Sequence, residues 1–266
     1  MKITILTLFP EMYESFLNSS IIKRAIAKNV VEFKLVNIRD YTKDKYNRVD
    51  TPPVGGGAGL IMKAQPIYDC LNANCDKETL KICLAPRGKT FNQKIARDFS
   101  KFKKICVFCG HYEGYDERIY KYFDQIISIG DFILTGGETA SFCLIDAITR
   151  LLPGAISDES IVEESFDDDL LEYPQYTEPY EFNNEKIPDI LYSGNHKEIK
   201  KYRQYQKLKL TKEYRPDLFE KHTLTKEEIK ILKERENNQI PKSEIEAIEK
   251  GKKFIKNWFF SDKRKI

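Results

Sequence analysis

The sequence predicts an α/β protein, a parallel sheet covered by helices up to about residue 150, followed by a smaller all-helical unit. Three observations predict it. Short β-branched runs alternate with helix-favouring segments through the first part of the chain. After Pro153 and Gly154 the composition turns to Ser, Asp and Glu in the stretch SDESIVEESFDDD, whose low hydrophobicity reads as a mobile linker. Beyond Tyr192 no strand pattern recurs, and segments 196–210, 225–237 and 242–257 are long, charged and helix-favouring.

Taken in order, the strands are 2–8 (KITILTL), 30–37 (VVEFKLVN), 79–85 (TLKICLA), 104–109 (KICVFC) and 125–130 (QIISIG). Between and after them lie helix-favouring segments at 11–28, 64–73, 92–101, 114–123 and 138–150. Strand and helix alternating in this way imply parallel strands with helical crossovers. In the later unit, Asn195 with Glu198 three residues on is a capping-box pattern for a helix start.

A chain of 266 residues fits one large or two modest domains, and 41% hydrophobic with 32% charged residues is a globular composition. The apolar stretch 140–156 is broken by Asp146 and Arg150, which argues against a membrane span. The first residues read as a strand rather than an export signal, so a cytoplasmic protein with no membrane partner is expected. Cys70, Cys75, Cys83, Cys106, Cys109 and Cys143 are then expected to be reduced thiols. The net charge of +3 conceals segregation: residues 159–191 hold eleven acids and one base, and residues 192–266 hold 21 bases and 12 acids. A basic C-terminal portion behind an acidic connector suggests a polyanion-binding appendage.

Four stretches could carry chemistry. TPPVGGGAGLIMK (51–63) is either a glycine hinge or a ligand cradle; it lacks the Gly-Lys-Ser/Thr ending of a phosphate loop. LAPRGK (84–89), CGHYEGYDER (109–118) and SIGDFILTGGETA (128–140) each follow a strand, where ligands bind in parallel sheets, and together describe one cofactor pocket. Cys106 and Cys109, three apart on a strand, face opposite sides and suggest no metal site, and the three histidines are far apart in sequence. Arg150 ends a helix, which suits a cation, or stands at the pocket mouth, where it would stabilise charge on a substrate oxygen. Glu163, Glu164, Asp167, Asp168 and Asp169 are linker carboxylates that could include a proton acceptor. In the helical unit, Lys197, Lys200, Lys201, Gln204 and Lys207 fall on one face opposite Ile199 and Tyr202, a pattern suited to RNA phosphate contact. The tail 247–266, rich in bases and carrying Phe254, Trp258, Phe259 and Phe260, either extends that surface or docks as a terminal helix.

The motifs LFPEM, VDTPPVGGGAGL, LAPRGK, CGHYEGYDER, SIGDFILTGGE, RLLPG, EESF and YSGNHKEI, in this order, resemble the bacterial tRNA (guanine-N1)-methyltransferase family over residues 1 to about 240. The resemblance implies a SPOUT-type parallel sheet with a C-terminal trefoil knot, which departs from the usual unthreaded chain. It implies a knotted catalytic domain at 1–158 that binds S-adenosylmethionine, an acidic linker at 159–171 and a helical tRNA-binding domain at 172–266. The cofactor residues it implies are Leu84, Ala85, Pro86, Arg87, Gly110, Tyr112, Gly114, Ser128, Ile129, Gly130, Asp131, Phe132, Ile133, Leu134, Gly136 and Gly137.

The implied reaction transfers a methyl group to N1 of guanosine 37 in the tRNA anticodon stem-loop, within a homodimer whose active site is shared between protomers. Glu164 stands where the family's aspartate base belongs, with Asp167 as the fallback, and Arg150 matches the family's cation. His111 replaces a common Arg, Arg87 replaces a common Gln, and the linker is one residue short. Mg2+ is left as an optional companion to the methyl donor. The alternatives are a knotted ribose 2′-O-methyltransferase, which would need no carboxylate beside a guanine edge, and a tRNA-binding protein without catalysis.

Overall fold

A computed structural model describes residues 1–157, 165, 166, 168–236 and 239–261, the last nine as backbone only. The chain divides into two compact units, Met1–Ile161 and Val162–Ile266.

In the first unit the strands are β1 (Lys2–Thr7), β2 (Glu32–Asn37), β3 (Asp50–Thr51), β4 (Ile61–Met62), β5 (Leu80–Thr90), β6 (Lys104–Phe108) and β7 (Gln125–Ser128). The helices are α1 (Glu14–Leu17), α2 (Ser20–Ala27), α3 (Ala64–Asn74), α4 (Gln93–Phe99) and α5 (Gly137–Thr149). Five strands form one sheet in the order β2-β1-β6-β5-β7, and every pairing in it is parallel. The β3 and β4 pair is antiparallel and brackets the glycine loop 51–63.

Side chains alternate across the sheet, so each face builds its own core. On one face Ile3, Ile5, Ile82, Ile105, Val107 and Cys109 pack against Ala25, Ile95, Leu144 and Ile148 from α2, α4 and α5. On the other, Leu6, Cys83, Cys106 and Phe108 pack against Ile67, Cys70 and Leu71 of α3. Cys106 and Cys109 thus enter opposite cores, as a three-residue offset on a strand requires. All six cysteines are free thiols.

Three predicted elements differ. The helix expected at 11–28 is broken, because Asn18 and Ser19 turn back to the carbonyls of Glu14 and Ser15 and compete with the helical ladder. The helix expected at 114–123 is instead a loop and a 3-10 turn, Glu117–Tyr122; Asp116 accepts from the Arg118 backbone and caps it as a tight turn. The second unit is not wholly helical: it carries a short antiparallel hairpin of β8 (Glu181–Phe182) and β9 (Glu185–Lys186). Its Asn183 and Asn184 both take positive φ, as a two-residue type I′ hairpin turn requires.

The second unit's helices are α6 (His196–Tyr214), α7 (Pro216–Phe219), α8 (Lys226–Glu234) and α9 (Lys242–Ser261). Asn195 does cap α6, accepting from Glu198 N at 3.3 Å, but the Glu198 carboxylate turns away to Lys201 and Ser243. The reciprocal capping box forms at α8 instead, between Thr225 and Glu228. Ile199 and Tyr202 of α6 join Ile190 and Ala247 in a small core.

Within the first unit, the segment between the two halves of β5 bulges over β7, so that Leu84 and Lys89 both register with Ile127. Gly88 allows this approach, since a Cβ there would lie 2.5 Å from the Ile127 backbone. Gly88→Ala is therefore expected to cost about 1–3 kcal/mol by overpacking. Urea unfolding checks this, and unchanged stability would contradict the close approach.

Candidate functional site

The three stretches singled out from the sequence, one in the bulge between the halves of β5 and the others after β6 and β7, converge at one end of the sheet. They enclose a cleft of about 280 Å³, near the lower end for small-molecule sites, which begin at about 300 Å³. All of the expected cofactor residues line it except Arg87 and Asp131. Arg87 turns aside: it holds Glu117 through two bonds of 2.7 Å and lies over the Tyr120 ring at 4.0 Å. The Arg87 guanidinium keeps the Glu117 carboxyl below the usual carboxylate range. Asp131 is exposed and outside the lining. A wider hollow of about 970 Å³ lies at the amino ends of the strands. There Lys2 is already paired with Glu32 and Lys104 with Asp76, and parallel sheets bind ligands at the other end.

Backbone forms much of the cleft. Gly137 N donates to Gly110 O at 2.9 Å, and Gly136 bridges His111. A Cβ on Gly137 would lie 2.7 Å from Cys109 Cα, and one on Gly136 would lie 2.3 Å from the His111 ring. The loop after β6 can meet the start of α5 only where both positions lack side chains. Tyr112, a cleft residue without that freedom, is held at φ +61, a conformation that costs about 1–3 kcal/mol and tends to cluster at ligand sites.

Beneath the loops is a polar network that sequence reading missed. Glu138, in the first turn of α5, is 1% exposed and accepts from Thr7 Oγ1 at 2.6 Å and from His111 Nε2 at 2.5 Å. Its place beside the helix amino terminus suits a carboxylate. Ser141 Oγ donates to the Glu138 carbonyl at 2.7 Å, so the Tyr13 hydroxyl donates to Ser141, at 2.6 Å. His111 thus anchors the cleft wall to the buried sheet end. Tyr115, Thr135 and Ala140, from the same stretches but outside the expected cofactor residues, also line the cleft. Thiol nucleophiles are disfavoured here: burial pushes Cys83 and Cys109 each up to about 12. Among the described residues no cluster of three or more His, Cys, Asp or Glu side chains could hold a metal ion.

The candidate catalytic residues are placed differently. Arg150 caps the carboxyl end of α5, whereas the cleft lies at that helix's amino end. The helix has 13 residues. At the usual rise it separates the two by roughly 20 Å, beyond the reach of an Arg side chain. The structure therefore does not bring Arg150 to the mouth of this cleft. Glu163, Glu164 and Asp167 lie outside the described residues. At the cleft mouth Phe132, Ile133 and Leu134 are exposed, Ile133 by 83%.

The family profile described as "tRNA (Guanine-1)-methyltransferase TrmD" matches residues 1–221. Among curated proteins, the tRNA (guanine-N(1)-)-methyltransferase of Clostridium botulinum (strain Eklund 17B / Type B) is 56% identical over 234 residues, covering 87% of this chain and 98% of that protein. The protein of the same name from Clostridium beijerinckii is 54% identical over 89% of this chain and 100% of its own length. That of Malacoplasma penetrans is 50% identical, covering 84% and 98% respectively. With its strand-end cleft and a match of this extent, the chain belongs to the tRNA (guanine-1)-methyltransferase family.

Proposed function

We propose that this enzyme transfers a methyl group from S-adenosylmethionine to N1 of guanosine 37 in tRNA, in the cytoplasm. The observation that supports this reading most is the convergence of three glycine-rich strand-end loops on one cleft, in a chain of this family. Gly110, Gly136 and Gly137 let the Tyr115 ring, the His111 ring and the Cys109 backbone come where a Cβ would sit, and this close packing draws the loops together around one cleft. S-adenosylmethionine, when bound, supplies an electrophilic methyl group on its sulfonium. The relatives carry the guanine-N(1) name, so neither ribose methylation nor binding without catalysis is favoured.

Guanine N1 carries a proton at neutral pH, so a carboxylate must accept it as N1 attacks. Glu164 fills that role in this reading, and Arg150 stabilises the charge that grows on O6. Among the described residues no set of His, Cys, Asp or Glu side chains is assembled as a metal site. Because Arg150 and the cleft occupy opposite ends of α5, a site needing both draws on two copies of the chain, as a C2 dimer provides. The exposed run of Phe132, Ile133 and Leu134 at the cleft mouth is an apolar surface that such a partner or the ligand would cover. The trefoil knot implied by the family belongs to the same reading, as does assignment of the tRNA-binding role to residues 172–266.

Three measurements test this reading. With labelled S-adenosylmethionine, a transcript with G at position 37 is expected to gain label at N1 and one with A to gain none. Glu164→Gln should lower kcat by about 10²-fold or more while leaving cofactor affinity unchanged. Full rate in that variant would remove Glu164 from the role. Separately, mixing a cleft variant, Gly137→Val, with Arg150→Ala should restore about a quarter of wild-type activity if sites are shared across a two-fold axis. No recovery after subunit exchange would contradict the shared site.

A further inference from the structure

The second unit contains a cleft of about 380 Å³ whose composition calls for an anion. His196, Lys200, Arg203 and Lys207 of α6 line it at successive helical turns, and Asp168 and Tyr173 close it from the preceding segment. This stripe differs from the one drawn from sequence. Lys201 is held by Glu198 at 3.0 Å, and Lys207 is only 5% exposed rather than solvated.

Two features of the cleft are unfinished. Arg203 lays its guanidinium over the Tyr173 ring at 4.6 Å, yet its Nε is buried without a hydrogen-bond partner. A buried donor left so is destabilising, and an acceptor oxygen that reached it would relieve the loss. Lys207 Nζ meets Asp168 Oδ2 at 2.6 Å, and the Asp168 side chain is itself 42% exposed. A nearly buried ammonium therefore depends on a carboxylate that solvent can reach. Two lysines and an arginine face that single carboxylate, leaving the cleft net positive. Asp168 sits in a turn fixed by buried Leu170, by Phe166 N donating to Leu170 O at 2.8 Å, and by Leu171 N donating to Thr211 Oγ1 at 2.8 Å.

We propose that this cleft seats a backbone phosphate of the tRNA, and that Asp168 occupies Lys207 as a stand-in until a phosphate oxygen replaces it. The inference rests on the tRNA-modifying reading above and adds the residues that grip the RNA. Arg203 and Lys200 then supply charge-assisted donors to the phosphodiester, and Lys207 exchanges one anion for another. Asp168 follows Glu164 by four residues. RNA docking would thus release one tether of the segment that carries the proposed base.

The test is tRNA affinity of the full chain between 50 and 200 mM salt, with melting temperature recorded for every variant. Lys200→Gln and Arg203→Gln should each weaken binding about 3- to 10-fold and make the logarithmic salt dependence shallower by about one unit. Asp168→Asn should tighten binding, because it removes the competing anion. Inorganic phosphate at matched ionic strength should displace little tRNA. If Lys200→Gln and Arg203→Gln bind like wild type, or if folded Asp168→Asn binds more weakly, the proposal fails while the enzyme reading stands. If phosphate alone stabilises wild type but not Arg203→Gln, and tRNA affinity is equal in both, the cleft is a small-anion seat and the proposal also fails. Absence of tRNA binding by wild type would overturn the enzyme reading itself.

Discussion

The first unit depends on one close approach, the backbone after β6 pressed against the first turn of α5. Gly137 donates to Gly110 O across a gap that admits no Cβ, and Gly136 leaves its space to the His111 ring. That contact places a helix amino terminus beside the carboxyl ends of three parallel strands. Such a place concentrates backbone donors and a favourable field for negatively charged groups. The cleft exists because α5 cannot be drawn closer and is not held further away.

Side chains beneath the cleft make this geometry rigid. Glu138 is nearly fully buried, yet its carboxylate is tied to β1 through Thr7 and to the cleft loop through His111. Tyr13, Ser141 and Cys109 extend the same polar chain below it, with the Tyr13 hydroxyl 3.3 Å from Cys109 Sγ. Burial makes each of these groups costly to leave unpaired, so the network specifies one arrangement of helix, strand and loop. A protein binding a reactive methyl donor has reason to hold that arrangement, since small misplacements of reacting groups cost rate steeply.

The five central strands were legible because short β-branched runs report strands of a parallel sheet covered on both faces. The strand-end loops were legible because glycine and proline mark places where backbone must turn or approach closely. Local chemistry hid the rest. Side-chain caps at Asn18, Ser19 and Asp116 redirected the backbone where periodicity alone suggested longer helices. Arg87 carried no signal that it would prefer Glu117 and Tyr120 to the cleft. Glu138 looked like an ordinary acidic residue at a helix start, and only its partners from β1 and the cleft loop reveal its burial. The place of Arg150 at the far end of α5 depends on helix length, which was readable, combined with where the cleft forms, which was not. In the second unit, the amphipathic count put Lys207 on the solvent side, because Asp168 lies 39 positions away in sequence.

The claim that the glycine contact between β6 and α5 builds the methyl-donor site is tested most directly by calorimetry. S-adenosylhomocysteine, the demethylated product, would be titrated into the full-length wild-type chain and into Gly137→Val. The contact predicts saturable binding to wild type and loss of that binding in a Gly137→Val protein that still melts cooperatively. Equal affinity in both proteins, or no heat of binding to folded wild type, would contradict it.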